Sequence, residues 1–259
     1  MPMIDADGCL LNVSVEGRDG GPTLMLSNSL GTTMQMWEPQ MATLTKLFRV
    51  VRYDRRGHGK SGPAGTTSME RYGKDVLAIL DDLNIDRVHW CGLSMGGMVG
   101  QWLGANAPER FDRIILSNTS SYYPDPTNWH NRIKAVREGG LAGVADAVIA
   151  GWLTADFRER EPAVTAHLKA MLLASPVEGY LAACEALSTL DQRSLLPKIK
   201  SPTLVIAGRQ DMATPVAAGE YIRSQIPGAS LTILDAAHIS NVEQSHAFTD
   251  AVVGFLTQR

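Results

Sequence analysis

Apolar and polar positions alternate in short blocks along the first third of the chain. CLLNVSVEG at 9–17 predicts a strand, DGG at 19–21 a turn, and PTLMLSNS at 22–29 a second strand. FRVVRYD at 48–54 predicts a third strand, which stops at the breaker-rich RRGHGKSG. The period then changes. In TSMERYGKDVLAILDDL at 67–83, Met69, Tyr72, Val76, Ile79, Leu80 and Leu83 recur every three or four residues, which is one face of a helix. RVHWCG at 87–92 predicts a strand, Met95 to Asn106 a helix, and RIILSN at 113–118 another strand.

Beyond Asn118 the strand signal stops. Residues 121–190 carry helical stretches near 127–138, 141–153, 161–174 and 178–188, with Asp125-Pro126 as a start signal and Gly139-Gly140 as a stop. Alternation resumes with strand PTLVIAG at 202–208, helix PVAAGEYIRSQI, strand SLTILDA at 230–236 and an amphipathic helix around 243–257. Apolar strands alternating with helices predict an α/β fold, a mostly parallel twisted sheet flanked by helices. Residues 121–190 interrupt it as an inserted all-helical cap, between core parts at 1–120 and 191–259. Ligands of such sheets bind beyond the carboxyl ends of the strands. The cap would roof that crevice.

Composition narrows the class. An apolar share of 44% against 20% charged residues is that of a globular chain rather than a disordered one. A net charge of −3 gives no electrostatic footprint for nucleic acid or an anionic membrane. Cys9, Cys91 and Cys184 are odd in number and widely separated, which gives neither a disulfide framework nor a zinc site. The opening MPMIDADGCL is acidic where a signal peptide is basic, and no run of about 18 apolar residues offers a membrane span. A cytoplasmic protein is expected. No G-x-G-x-x-G follows the first strand and no P-loop is present, so no cofactor is expected, and no His or Cys cluster has metal-ligand spacing.

The chemistry concentrates at CGLSMGG. Gly92, Ser94 and Gly96 fit G-x-S-x-G between a strand and a helix, the context that motif requires. A nucleophile on such a strained turn stands clear of the sheet only if side chains two positions either side are absent. A serine hydroxyl needs a base, and the base needs an orienting acid, in chain order Ser, acid, His. Of six histidines, His58 precedes the serine, His89 lies within a strand, His130 and His167 fall in the cap, and His246 lies inside the last helix. His238, in the loop AAHISN after a strand, has the right order and place. Asp211, in GRQDMATP after PTLVIAG, is the expected acid; Asp235, three residues before His238, is the rival. The oxyanion donors expected by position are the backbone N–H groups of Met95 and Leu30, with Ser29 beside them.

YDRRGHGKSG, CGLSMGG, GRQDMATP and AAHISNVEQ together resemble the α/β-hydrolase family over the full chain. LSNSLGTTMQMWEPQ and NWHNRIKAVREGGLAGVADAVIAGWL are similar, more narrowly, to its 3-oxoadipate enol-lactonases, including Asn28-Ser29 where most relatives carry His-Gly. The resemblance implies a carboxylic ester hydrolase of aromatic-compound catabolism that opens a small anionic enol-lactone with water to 3-oxoadipate. An anionic substrate calls for a cation or polar donors. In NWHNRIKAVRE, Arg132 and Arg137 are the candidates, with Trp129 as pocket wall; a solvated helix face and cap packing are the competing roles of these side chains. Trp152 reads as core. A carboxylesterase, a carbon–carbon bond hydrolase or a perhydrolase would share the same triad, and a slow hydrolase-like receptor would also keep it.

Overall fold

The computed structural model describes residues 2–258; Met1 and Arg259, the outer ends of the two expected core parts, lie outside them. Eight strands form one sheet: β1 (Met3–Asp5), β2 (Leu10–Gly17), β3 (Thr23–Ser27), β4 (Arg49–Tyr53), β5 (Val88–Leu93), β6 (Phe111–Ser117), β7 (Thr203–Gly208) and β8 (Ser230–Leu234). Their order is β1-β2-β4-β3-β5-β6-β7-β8. β1 and β2 run antiparallel and the rest are parallel. β5 and β7 are buried along their whole length, as expected of strands covered on both faces. β8, at the edge, is only half-buried.

Helices cover both faces. α1 (Glu38–Leu47), α2 (Met69–Asp82) and α3 (Met95–Asn106) precede β6, and α9 (Val216–Gln225), α10 (Ser240–Glu243) and α11 (Ser245–Leu256) follow β7. The α2 pattern acts as its spacing predicts. Met69, Tyr72, Val76, Ile79 and Leu80 are buried, and the Ser68 side chain caps the first turn by accepting from the Arg71 N–H. Burying each such side chain contributes about 1.5–3 kcal/mol. The turn RRGHGKSG is pinned to α2 by a buried pair, Arg56 Nε and Nη2 each donating to the Asp75 carboxylate at 2.6 Å.

Between β6 and β7 lie α4 (Thr127–Gly139), α5 (Ala145–Trp152), α6 (Ala155–Arg160), α7 (Pro162–Leu173) and α8 (Val177–Ser188). Gly140, at φ +63°, ends α4 where Gly139-Gly140 signals a stop. The stretch expected as one helix at 141–153 is a 3-10 turn at Leu141–Gly143 followed by α5. Among the described residues no single helix is long and apolar enough to cross a membrane; α7 and α8 reach that composition only together, and they meet at 90°.

Candidate active site

Ser94 sits between β5 and α3 with φ +58° and ψ −116°, a conformation that side chains rarely adopt. Holding it there costs roughly 1–3 kcal/mol. Three bonds bear that cost: the Ser94 N–H donates to Ser117 O at 2.8 Å, and its carbonyl accepts from Thr119 Oγ1 at 2.7 Å and from the Met98 N–H at 3.1 Å. The flanking glycines are a steric necessity. A Cβ on Gly92 would lie 2.2 Å from Gly96 O, and one on Gly96 would lie 2.2 Å from Ser27 O.

The structure brings Ser94, His238 and Asp211 together. His238 Nε2 lies 2.8 Å from Ser94 Oγ, and its Nδ1 lies 2.8 Å from Asp211 Oδ2. All three are buried. Asp211 Oδ1 also accepts the N–H groups of Ala213 and Thr214, both at 2.9 Å, and Oδ2 accepts Thr214 Oγ1 at 2.7 Å and Asn118 Nδ2 at 3.1 Å. Burial pushes this carboxyl up, but the His238 charge and the hydrogen bonds from His238 and Thr214 outweigh it, leaving the pKa below its ordinary value. A carboxylate so held leaves Nδ1 of His238 protonated and Nε2 free to accept from the serine. The rival Asp235 is exposed and faces Gln210 and Arg209. Asn118 and Thr214 had no signal in the periodic pattern; only Thr214, three residues after an aspartate, carries a local one.

The loop after β3 supplies a backbone donor. The Ser29 N–H donates to Met36 Sδ at 3.3 Å and the Gly31 N–H to His58 Nε2 at 3.2 Å, while the Leu30 N–H between them has no partner among the described residues. The Met95 N–H, first in α3, is likewise without one. His58 serves this loop rather than the serine. Burial and then the neighbouring Arg55 charge push its pKa down to about 3, so it stays neutral and accepts.

Above Ser94 is a narrow chamber of about 60 Å³, which adjoins a wider pocket of about 440 Å³. The inner chamber is lined by Ser29, Leu30 and His238 from the sheet side and by Trp129, Arg132, Trp152 and Tyr180 from the helical block. Trp129 and Arg132 are shared with the outer pocket, the guanidinium lying 5.3 Å over the Trp129 ring. Arg132 is half-buried and has no carboxylate partner among the described residues. Ser29 Oγ, a buried hydroxyl of the lining, has no hydrogen-bond partner among the described residues, and Arg132 lies beside the buried Tyr180 hydroxyl. Burial pushes the Tyr180 phenol up to about 12, so it remains a donor.

Two expectations change. Arg137 does not reach this chamber; it is exposed, donates to Glu185 at 2.8 Å, and lines a separate groove between α4 and α8. Five residues on from Arg132, it is rotated about 140° around the helix, onto the far face. Trp152, expected as core, is buried but also forms part of the chamber wall. Among the described residues no group of three His, Cys, Asp or Glu side chains could hold a metal ion.

Residues 22–245 match the model of the alpha/beta hydrolase fold. The chain belongs to the α/β-hydrolase family. It is 42% identical to the 3-oxoadipate enol-lactonase 2 of Acinetobacter baylyi, over 96% of this chain and 94% of that one. The crystal structure of the enol-lactonase from Burkholderia xenovorans superposes with a TM-score of 0.97 at 43% identity, covering 99% of this chain and 100% of that one. A putative carbamate hydrolase RutD of Stutzerimonas stutzeri is 32% identical over 92% of each chain. The chain is therefore a hydrolase that closely resembles the enol-lactonases of its family.

Proposed function

We propose that this hydrolase opens 3-oxoadipate enol-lactone with water to 3-oxoadipate, in the breakdown of protocatechuate or catechol, through an acyl-enzyme on Ser94. In this reading residues 121–190 form the cap over a core made of 1–120 and 191–259. Ser94 Oγ attacks the lactone carbonyl as His238 Nε2 takes its proton, and Asp211 stabilises the resulting imidazolium. The carbonyl oxygen, now negative, is received by the N–H groups of Leu30 and Met95. The ring C–O bond breaks, the leaving enol oxygen takes the proton from His238, and the enol tautomerises to a ketone, which draws ring opening forward. Water, deprotonated by His238, then attacks the acyl carbon and releases Ser94.

The observation that carries this reading is the 2.8 Å contact of His238 with both Ser94 and Asp211, at the floor of a chamber whose wall holds a cation with no acidic partner among the described residues. Arg132 is assigned the substrate carboxylate, and Trp129 and Ser29 the chamber's contacts to the ring. The test is turnover of the enol-lactone beside neutral aryl esters, simple lactones and carbamates, using the wild type and Ser94→Ala. A preference of at least 100-fold in kcat/KM for the anionic lactone, abolished by Ser94→Ala, is expected. A preference for carbamates or neutral esters refutes the substrate. Turnover below about 1 per second on every compound refutes the enzyme reading and fits a receptor.

A further inference from the structure

Arg55 is buried to 2% exposure, yet no carboxylate pairs with it among the described residues. An unpaired charge in the interior is costly and calls for a reason. Its neighbour Arg56 shows the usual solution, a bidentate pair with Asp75. Arg55 instead donates Nη1 to Ser29 O at 3.2 Å and Nη2 to Asn28 O, with the Tyr72 ring 5.7 Å from its guanidinium carbon. Thr32 Oγ1 donates to the same Ser29 carbonyl at 2.9 Å.

The Ser29 carbonyl and the Leu30 N–H are two ends of one peptide unit, pointing opposite ways across a trans bond. A cation on the carbonyl end pulls electron density away from the amide nitrogen and makes the N–H end more positive. The next peptide is fixed as well, because neutral His58 accepts the Gly31 N–H at 3.2 Å. Of these two adjoining N–H groups, Leu30's is the one with no partner among the described residues. We propose that Arg55 is a positioning residue for the oxyanion: its buried charge orients and polarises the Ser29–Leu30 peptide, strengthening the hydrogen bond that Leu30 gives to the transition state. This rests on Leu30 acting as an oxyanion donor in the reaction proposed above.

A donor strengthened in this way acts on the developing negative oxygen far more than on the neutral carbonyl, so it lowers the barrier without tightening substrate binding. Arg55→Gln keeps donors but removes the charge, Arg55→Lys keeps the charge, and Thr32→Val removes the second donor to Ser29 O. Each is compared with wild type for kcat and KM on the lactone and on a neutral aryl ester. Affinity is measured for an alkyl boronic acid, whose serine adduct mimics the tetrahedral intermediate, and for a small keto acid resembling the product. Arg55→Gln is expected to lose about 10–100-fold in kcat on both substrates. KM and keto-acid affinity should stay within about twofold, and boronate affinity should fall in step with kcat. Arg55→Lys should recover part of the loss, and Thr32→Val should lose roughly 2–10-fold in kcat with the same signature.

A folded Arg55→Gln with wild-type kcat overturns the proposal, as does a parallel fall in keto-acid and boronate affinity, which marks a merely structural role. Where Arg55→Gln does not fold, Thr32→Val decides, and unchanged kcat there overturns the proposal. Ser94→Ala in the same assays separates the two readings. Turnover surviving in Ser94→Ala sinks the nucleophile assignment itself, whereas turnover that depends on Ser94 but not on Arg55 sinks only this inference.

Discussion

Asp211→Asn isolates the role proposed for the acid. In the wild type the carboxylate accepts five hydrogen bonds, two at Oδ1 from the backbone of Ala213 and Thr214 and three at Oδ2 from His238, Thr214 Oγ1 and Asn118. An amide can present an acceptor to only one of these sets. The backbone donors cannot rotate away, so the amide oxygen should take the Oδ1 position and the NH₂ group should face His238. Nδ1 must then accept, which places the ring proton on Nε2, opposite Ser94 Oγ. The base is thus in the wrong tautomer, and the stabilising charge for the imidazolium is gone as well. From the behaviour of such triads, kcat should fall about 10³–10⁴-fold, equivalent to about 4–5 kcal/mol of transition-state stabilisation. KM should change little, because Asp211 does not line the chamber. The measurement is steady-state turnover of the lactone above pH 7, beside Asp235→Asn as a control expected at wild-type activity. A kcat for Asp211→Asn within tenfold of wild type would show that the imidazole does not depend on this carboxylate, and the derivation of the base would fail with it.

Other outcomes follow from the same geometry. Arg132→Ala should raise KM for the anionic lactone by about tenfold, the low end for a hydrogen bond to a charged group at a half-buried site, and leave a neutral aryl ester within about threefold; equal effects on both would remove Arg132 from carboxylate binding. His58 titrates near 3 when folded and near 6.5 when unfolded, so the unfolded chain binds the extra proton and stability should fall as pH drops from 6.5 toward 3, by up to about 4–5 kcal/mol. Denaturant midpoints of His58→Gln between pH 6.5 and 5 should lack that part of the slope, although His89, also lowered by burial, keeps its share in both proteins; identical slopes would show that His58 is not held neutral.

What the sequence made legible depended on whether the cause was local. The alternating apolar blocks located β2 to β8 because each strand is buried by its own side chains, and Gly140 ends α4 by its own backbone freedom. Ser94 was legible because the steric demand of the turn is written into Gly92 and Gly96, two residues away on either side. α1 was missed because its inward face is partly polar. Gln40, fully buried there, is satisfied by Asn241, donating to its carbonyl at 2.6 Å and accepting from its Nδ2 at 3.1 Å, a partner that no local window contains. The last helix, expected around 243–257, is α11 at Ser245–Leu256, and the short α10 that precedes it carries no periodic signal of its own. Arg137 was grouped with Arg132 by charge, and only the turn of the helix separates their environments. Arg55 read as one basic residue in a glycine-rich turn, since its partners are backbone carbonyls of another loop.

The same distinction explains how chemistry and specificity are joined. The segment carrying His238 is fastened to the sheet by Asn118, which donates to Ala237 O at 3.1 Å while accepting from Ser240 Oγ at 2.5 Å. On its other side it is fastened to the helical block. The Ile239 N–H donates to Trp152 O at 2.9 Å, and Glu243 accepts from both the Ala237 N–H, at 2.9 Å, and Thr154 Oγ1. The His238 imidazole is therefore held between Ser94 and the end of α5, whose Trp152 is also chamber wall. No comparable bond runs from α4 to the His238 segment among the described residues. No hydrogen bond ties the α4 side chains Trp129 and Arg132 to the His238 segment among the described residues, whereas Thr154 is linked to it through Glu243 and the Trp152 backbone through Ile239. In the proposed reaction, substrate choice can therefore vary at α4 with the His238 segment undisturbed, while α5 is bonded to that segment.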